Sequence, residues 1–150
     1  MPEVDRVKFL GNIERETHRI QETVDRMMEL AALESLSTLE RREPVAMRQL
    51  LQELAASAQA AGMSRRLQVL ADLERDATVL GDAFLLRRAI GNLLDNAREF
   101  SPEGGTIQLA LAIDPRTATI TVRDHGPGIP DYARQKVFEK FYSLARPGSQ

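Results

Sequence analysis

The sequence contains no cysteine and only two histidines, His18 and His125. The absence of cysteine excludes disulfide bonds, thiolate zinc sites, iron–sulfur ligation and cysteine nucleophiles, and two histidines are too few for a histidine-rich metal site. Basic and acidic residues nearly balance, 20 against 22, so the broad positive field of a nucleic-acid or anionic-membrane binder is missing. No apolar run approaches the ~18 residues that a membrane span needs, and Met1-Pro2-Glu3 predicts no signal peptide.

The length of 150 residues suits one compact domain, or a small domain with an appended element. The N-terminal third differs from the rest because its apolar residues follow a heptad spacing of 3, 4, 3, 4, 3 and 4. This heptad stripe consists of Leu10, Ile13, Thr17, Ile20, Val24, Met27 and Ala31. Such a stripe is typical of a coiled coil or helical bundle, and a single helix burying nothing on it would be marginal in water. We therefore predict self-association through this helix or pairing with a helix before Met1; packing on the following domain is the alternative.

A domain boundary is predicted near Pro44, because proline cannot continue a helix and the heptad spacing is lost over residues 36–43. The sequence after the boundary predicts a helix over 47–61 that stops at Gly62, a strand over 67–73 and a short strand over 78–80. A long helix capped by Asp82 follows over 83–99, and then a hairpin with strands over 106–113 and 118–124. This order predicts an α+β sandwich, with a sheet that carries helices on one face.

The long helix sorts its side chains into three faces at about 100° per residue. The apolar face, predicted to meet the core, consists of Leu86, Ala89, Ile90, Leu93, Leu94 and Ala97. Asn92 and Asn96 lie on a separate face, which is unusual because asparagine is a mediocre helix former. Their amide oxygens, one turn apart, could bind a hard cation such as Mg²⁺ together with phosphates and water. Two asparagines that merely hydrogen-bond a neighbouring loop are the alternative.

The strand over 118–124 ends in an aspartate, Asp124, that is in phase with the apolar residues Ile120 and Val122. A buried carboxylate must meet a hydrogen-bond donor, which the exocyclic amine of adenine or a backbone N–H of the next loop could supply. The glycines of the following segment, Gly126 and Gly128, would allow positive φ and close approach of a ligand to the backbone.

These motifs together resemble the catalytic ATP-binding domain of sensor histidine kinases. Asn92-Leu-Leu-Asp-Asn96 resembles the N box of that family, Asp124-His-Gly-Pro-Gly-Ile129 its first glycine box and Val137-Phe-Glu-Lys-Phe-Tyr142 its aromatic F box. The heptad helix resembles the second helix of the family's dimerisation and phosphotransfer hairpin, and Phe141-Tyr-Ser-Leu resembles the CreC type. The resemblance implies domains over 1–43 and 44–150, and a two-layer α/β sandwich of the histidine-kinase, gyrase and Hsp90 type that is incomplete.

The same resemblance implies ATP and Mg²⁺ as cofactors. Asn92 and Asn96 would hold the metal, and Asp124 would accept a hydrogen bond from the adenine amine. Gly126 and Gly128 would act as hinges of a mobile lid, which Phe138 and Phe141 would anchor. The implied ATP-binding residues are Asn92, Asn96, Phe100, Asp124, Gly126, Gly128, Ile129, Phe138, Lys140 and Phe141. The implied partners are a second copy of the chain and a response regulator, with no nucleic acid. The implied location is the cytoplasmic portion of a bacterial inner-membrane sensor, with membrane contact only through other parts of that protein.

The sequence also departs from the family pattern. The family often has lysine where this chain has Glu99, the phosphoacceptor histidine box is absent, and His18 does not stand in such a box. The second glycine box is absent as well, so we expect a fragment of a kinase that does not phosphorylate itself. Two alternatives remain: a dimerising or nucleotide-sensing module without catalysis, and a water-activating ATPase of the same fold. The second is disfavoured because those enzymes place a glutamate where this chain has Asn92.

The heptad stripe gives a first prediction. Because burial of that face requires a partner helix, sedimentation equilibrium should show a dimer whose fraction rises with protein concentration. A chain that stays monomeric at high concentration would contradict the dimer.

Overall fold

A computed structural model describes residues 42–139 without interruption, together with eight positions of the N-terminal helix: Gly11, Ile13, Glu16, Thr17, Ile20, Gln21, Val24 and Met27. The chain divides into two compact units, Met1–Glu40 and Arg41–Gln150. Several residues discussed above lie outside the described residues, among them Leu10, His18, Ala31, Lys140, Phe141 and Tyr142.

The N-terminal unit is helical at each of its eight described positions. The Thr17 hydroxyl donates to the Ile13 carbonyl one turn earlier at 2.8 Å, which satisfies the one polar side chain of the heptad stripe. The apolar described members of the stripe are exposed, with Ile20 the most exposed at 58%. Dimerisation through this face stays a prediction.

Within residues 42–139, the second unit contains five strands and two α-helices. The strands are β1 (Glu43–Ala46), β2 (Gln68–Asp72), β3 (Thr78–Gly81), β4 (Thr106–Ile113) and β5 (Ala118–Arg123), and the helices are α1 (Met47–Gly62) and α2 (Ala83–Phe100). The order β2-β4-β5 forms one sheet, in which β2 runs parallel and β5 antiparallel to β4, while β1 and β3 form an antiparallel pair. The predicted α+β fold is confirmed.

One face of the three-stranded sheet packs on the two helices, which makes a two-layer structure. Along β4 the buried residues Ile107, Leu109 and Leu111 alternate with side chains on the other face, as the two-residue period of a strand requires. They share a core with buried residues of the helices: Met47, Leu50, Leu51, Ala55 and Ala58 from α1, and Ile90, Leu94 and Ala97 from α2. Among the described residues no helix is long and apolar enough to cross a membrane.

The turn chemistry is largely as predicted. The Asp114 carboxylate accepts the backbone N–H groups of Arg116 and Thr117 at 2.9 Å each and so closes the hairpin between β4 and β5. A hydrogen bond from the Thr117 hydroxyl, the largest contribution, and these two backbone bonds lower the pKa of Asp114 below its ordinary value. The Asp82 carboxylate caps α2 by accepting from Phe84 N at 2.9 Å and Leu85 N at 3.1 Å.

Two sequence predictions were wrong, and one strand was missed. Gly62 does not stop α1, since it lies in the last turn and a short 3-10 turn, Met63–Arg65, follows it. A Cβ on Gly62 would lie 3.0 Å from Leu67 Cβ, so glycine there permits close packing, and it is Arg66 that adopts left-handed φ, at 54°. The short strand β1 was not predicted at all. The apolar face of α2 is narrower than predicted, because Ala89 is exposed and Leu93 is 50% exposed.

Candidate functional site

Helix α2 carries most of the candidate site, and helix α1 holds it in position. Arg87 Nη2 on α2 lies 2.5 Å from Glu53 Oε2 on α1, with both side chains about half exposed. The hydrogen bond from Arg87, followed by one from Gln49, lowers the pKa of Glu53 below its ordinary value. Beside this pair, a Cβ on Gly91 would lie 3.9 Å from Leu54 Cδ2, so the two helices are in van der Waals contact here.

Asn92 and Asn96 are exposed on the α2 face that points away from the core. Within residues 42–139 neither carboxamide makes a hydrogen bond, so the alternative of two asparagines bonded to a neighbouring loop is not realised in this part of the chain. Residues four apart on a helix are neighbours, with about 5–6 Å between their Cβ atoms. Two oxygen donors at that spacing fit a hard cation that also keeps waters and phosphates. The exposed Ala89 and Leu93 border these asparagines.

Asp124 directly follows β5 and is half-buried. Its Oδ1 accepts the backbone N–H of Gly126 at 2.7 Å, so the next loop supplies the donor for one carboxylate oxygen. Within the described residues Oδ2 makes no hydrogen bond, and it can therefore accept from a ligand. The two donors proposed for Asp124, a backbone N–H of the loop and the adenine amine, are thus compatible, because each would bond a different carboxylate oxygen.

Gly126 packs closely on the carboxyl end of α2. A Cβ there would lie 2.5 Å from the Phe100 carbonyl oxygen and 2.8 Å from Asp124 Oδ1. Glycine is therefore needed for close approach, which differs from the predicted role as a hinge. Gly128 is the residue with hinge-like backbone, since its φ is 75° and a Cβ would meet no atom within 4 Å.

The structure brings Phe100, Asp124 and Gly126 together, with Asn96 one helical turn before Phe100. His125, between Asp124 and Gly126, lies with Nδ1 3.1 Å from the Thr106 carbonyl and so ties the loop to the start of β4. Ile129 is about half exposed and Phe138 is 93% exposed. The predicted anchoring of the lid by Phe138 is therefore not seen among the described residues, and the role of this residue stays a prediction.

Comparison with known proteins agrees with this fold. Residues 81–150 match the family model described as histidine kinase-, DNA gyrase B-, and HSP90-like ATPase. A solved structure of a mycobacterial sensor histidine kinase, MprB, superposes with a TM-score of 0.63 at 35% identity over 72% of this chain and 70% of that one. The histidine kinase ThkA, solved in complex with the response regulator protein TrrA, has a TM-score of 0.74 at 20% identity over 95% of this chain and 42% of that one, which supports the fold alone.

The chain therefore belongs to the sensor histidine kinases, and its second unit has the fold of their ATP-binding domain. Over 149 residues it is 35% identical to the sensor protein CreC of Escherichia coli (strain K12), a match that covers 95% of this chain and 30% of CreC. It is 50% identical over 74 residues to the kinase and phosphatase MprB of Mycobacterium avium (strain 104), covering 46% of this chain and 14% of that protein. The chain thus spans less than a third of the length of these curated relatives.

The contrast between the two glycines gives a second prediction. Gly126→Ala should lower the free energy of unfolding by about 2–4 kcal/mol, because backbone and carboxylate atoms would have to move away from the new Cβ. Gly128→Ala places a side chain on a residue with positive φ but meets no neighbouring atom, so it should lower the free energy of unfolding by about 1–2 kcal/mol. Urea unfolding measures both, and equal losses would contradict the close approach of Gly126 to Phe100.

Proposed function

We propose that this chain binds Mg·ATP as part of a sensor histidine kinase. The kinase would use the bound ATP to phosphorylate a histidine outside this chain and would then pass the phosphoryl group to a response regulator. The observation that carries the proposal is the cluster of Asp124, Gly126 and Phe100 at the end of α2. On the same helix, the amides of Asn92 and Asn96 make no hydrogen bond within residues 42–139.

The cluster suits an adenine ring. Asp124 Oδ2 offers an acceptor for the exocyclic amine, while Gly126 holds Oδ1 and so fixes the orientation of the carboxylate. Phe100 is half-buried next to this pair and can contribute apolar surface to the flat ring. A guanine ring would present a carbonyl oxygen at the place of the amine, which the carboxylate would repel.

The phosphates would then lie along α2, toward its amino-terminal half. Asn92 lies about 12 Å before Phe100 along the helix axis, at 1.5 Å per residue, and Asn96 about 6 Å. No group of three histidine, aspartate or glutamate side chains able to hold a metal ion occurs in the part of the chain that the structure describes. A metal at Asn92 and Asn96 would therefore draw its other ligands from phosphate and water, and it would neutralise phosphate charge.

Asn92 also favours phosphoryl transfer over hydrolysis. A water-activating ATPase needs a general base near the phosphates, and a carboxamide cannot take up a proton at neutral pH. Transfer to a histidine depends instead on positioning and on charge stabilisation, which the exposed amides of α2 can provide. A dimerising or nucleotide-sensing module without catalysis is the remaining alternative.

The proposed partners follow the same reasoning. A second copy of the chain would cover the exposed apolar residues of the N-terminal helix, and a response regulator would receive the phosphoryl group. The second partner is proposed because the chain belongs to the sensor histidine kinases; ThkA, which shares the fold, was solved in complex with a response regulator protein. We propose that the chain lies in the cytoplasmic portion of a bacterial membrane sensor, as the resemblance to sensor histidine kinases implies; its similarity to the sensor protein CreC supports the sensor part of this proposal.

The adenine contact can be tested with Asp124→Asn. The new amide oxygen can still accept from Gly126 N, but an NH₂ group would replace Oδ2 and would face the adenine amine donor to donor. ATP affinity should fall about 10- to 100-fold, the range expected for a lost hydrogen bond to a charged group. Equilibrium binding of ATP and GTP is the measurement, and the preference for ATP over GTP should narrow.

The matched control for this variant is Asp72→Asn, which neutralises an exposed carboxylate at the end of β2. Its affinities should equal those of the unmodified chain. Unchanged ATP binding by Asp124→Asn would refute the adenine contact.

The metal role can be tested with Asn96→Ala. The variant should bind ATP at least about 10-fold more weakly in Mg²⁺, since loss of an outer-shell partner already costs 10–100-fold in metal sites. In EDTA the variant and the unmodified chain should bind ATP with nearly equal affinity. Gln108→Ala, which removes an exposed carboxamide from β4, is the control. An equal loss with and without Mg²⁺ would show that Asn96 contacts the nucleotide by another route.

A further inference from the structure

Arg65 holds the carboxyl end of α2, although it lies in the 3-10 turn between α1 and β2. Its half-buried guanidinium donates from Nη1 to the Arg98 carbonyl at 2.5 Å and to the Glu99 carbonyl at 3.1 Å. Nη2 donates to the Ser101 carbonyl at 2.5 Å. One side chain thus bonds three main-chain oxygens around the end of the helix that carries the candidate site.

The sequence of α2 requires such an external donor. The last four carbonyls of a helix lack intrahelical partners and carry partial negative charge. The N–H and the hydroxyl of Ser101 both donate to the Ala97 carbonyl, at 3.0 Å and 2.6 Å. The next N–H in the series would come from residue 102, which is proline and has none. The Arg98 carbonyl therefore needs a donor from outside the helix, and Arg65 supplies it.

The main chain of Arg65 also holds the loop that leaves the helix. Gly104 N donates to the Arg65 carbonyl at 2.9 Å, and Gln68 N donates to the Gly105 carbonyl at 3.0 Å. The loop over 102–105 is therefore bonded at its start by the Arg65 side chain and at its far end by the Arg65 carbonyl. A guanidinium suits this arrangement because its five donors have fixed directions, whereas a lysine ammonium is a compact charge.

The same helix end contacts the loop after β5 on another side. The carbonyl of Phe100, between the residues that Arg65 bonds, packs on Gly126, and Gly126 N fixes Asp124 Oδ1. A helix end that frayed would release Phe100 and Gly126 together. We propose that Arg65 is a positioning residue, which keeps the end of α2 in place so that Phe100, Gly126 and Asp124 stay in register for the nucleotide.

The inference about the nucleotide rests on the proposed function, so the experiment has one readout that needs no ATP. Arg65→Met removes the donors and keeps a side chain of moderate length. Arg66→Met is the matched control, because the Arg66 side chain is 83% exposed and its one ion pair within the described residues is with Glu103, at 3.9 Å. Arg65→Lys keeps the charge but has no planar fork of donors, and should give intermediate values.

The first readout is amide hydrogen exchange of the nucleotide-free chain. Arg65→Met should speed exchange at Ser101 and Gly126 about tenfold or more relative to amides in the middle of β4, because local opening of the helix end becomes easier. A uniform increase in exchange rate over all protected amides would mean that Arg65 only stabilises the whole fold, and would overturn the inference. Rates at these two amides equal to those of Arg66→Met would also overturn it.

The second readout is ATP affinity, which should fall about five- to tenfold in Arg65→Met and remain unchanged in Arg66→Met. Equal affinity of Arg65→Met and the unmodified chain would overturn the positioning role. If the unmodified chain binds no ATP, the proposed function fails, and the exchange pattern alone decides whether Arg65 holds the helix end. If Arg65→Met does not fold, the same comparisons are made with Arg65→Lys.

Discussion

The carboxyl end of helix α2 has to satisfy its backbone carbonyls from outside the helix, and the candidate site is organised around the way it does so. Ser101 donates a hydrogen bond to the Ala97 carbonyl. Pro102 has no N–H to donate to the next carbonyl, that of Arg98. Arg65 supplies the missing donors on one side, while Gly126 packs on the Phe100 carbonyl on another. The requirement for satisfied hydrogen bonds thus holds together three segments that are far apart in sequence: the 3-10 turn after α1, the end of α2 and the loop after β5.

Asp124 illustrates how such a constraint also prepares a binding group. A half-buried carboxylate costs free energy unless donors surround it, and Gly126 N satisfies only one of its two oxygens. The bond fixes the plane of the carboxylate, so Oδ2 has a defined direction before any ligand arrives. Pre-orientation of this kind reduces the entropy that a ligand would otherwise lose on binding. The glycine is needed because any side chain at its position would displace the carboxylate or the helix end.

Apolar periodicity and turn residues in the sequence predicted α1, α2, β2, β3, β4 and β5, and residue type predicted the cap at Asp82. Each of these features has a local signal within a few residues. The strand β1 was missed because it has four residues, begins beside Pro44 and pairs with β3, more than thirty residues away. The exposure of Leu93 was missed because helical phase alone does not show how wide a face the sheet covers. Arg65 had no local signal, although Pro102 just after a helix indicates that a carbonyl needs a remote donor.

Within the described part of the chain, the side chains proposed to lie next to the phosphates include no group that gains or loses a proton. Asn92 and Asn96, the α2 side chains placed nearest to them, are neutral amides, and Asp124 lies at the adenine end. An arrangement of fixed dipoles and a carboxylate can orient a nucleotide and a metal, yet an amide cannot act as the general base that takes a proton from an attacking water. Such a site is useful only if the attacking group arrives already nucleophilic, as a neutral imidazole does. The residue types on α2 are therefore consistent with the proposed reaction, in which another segment would bring the histidine to bound ATP.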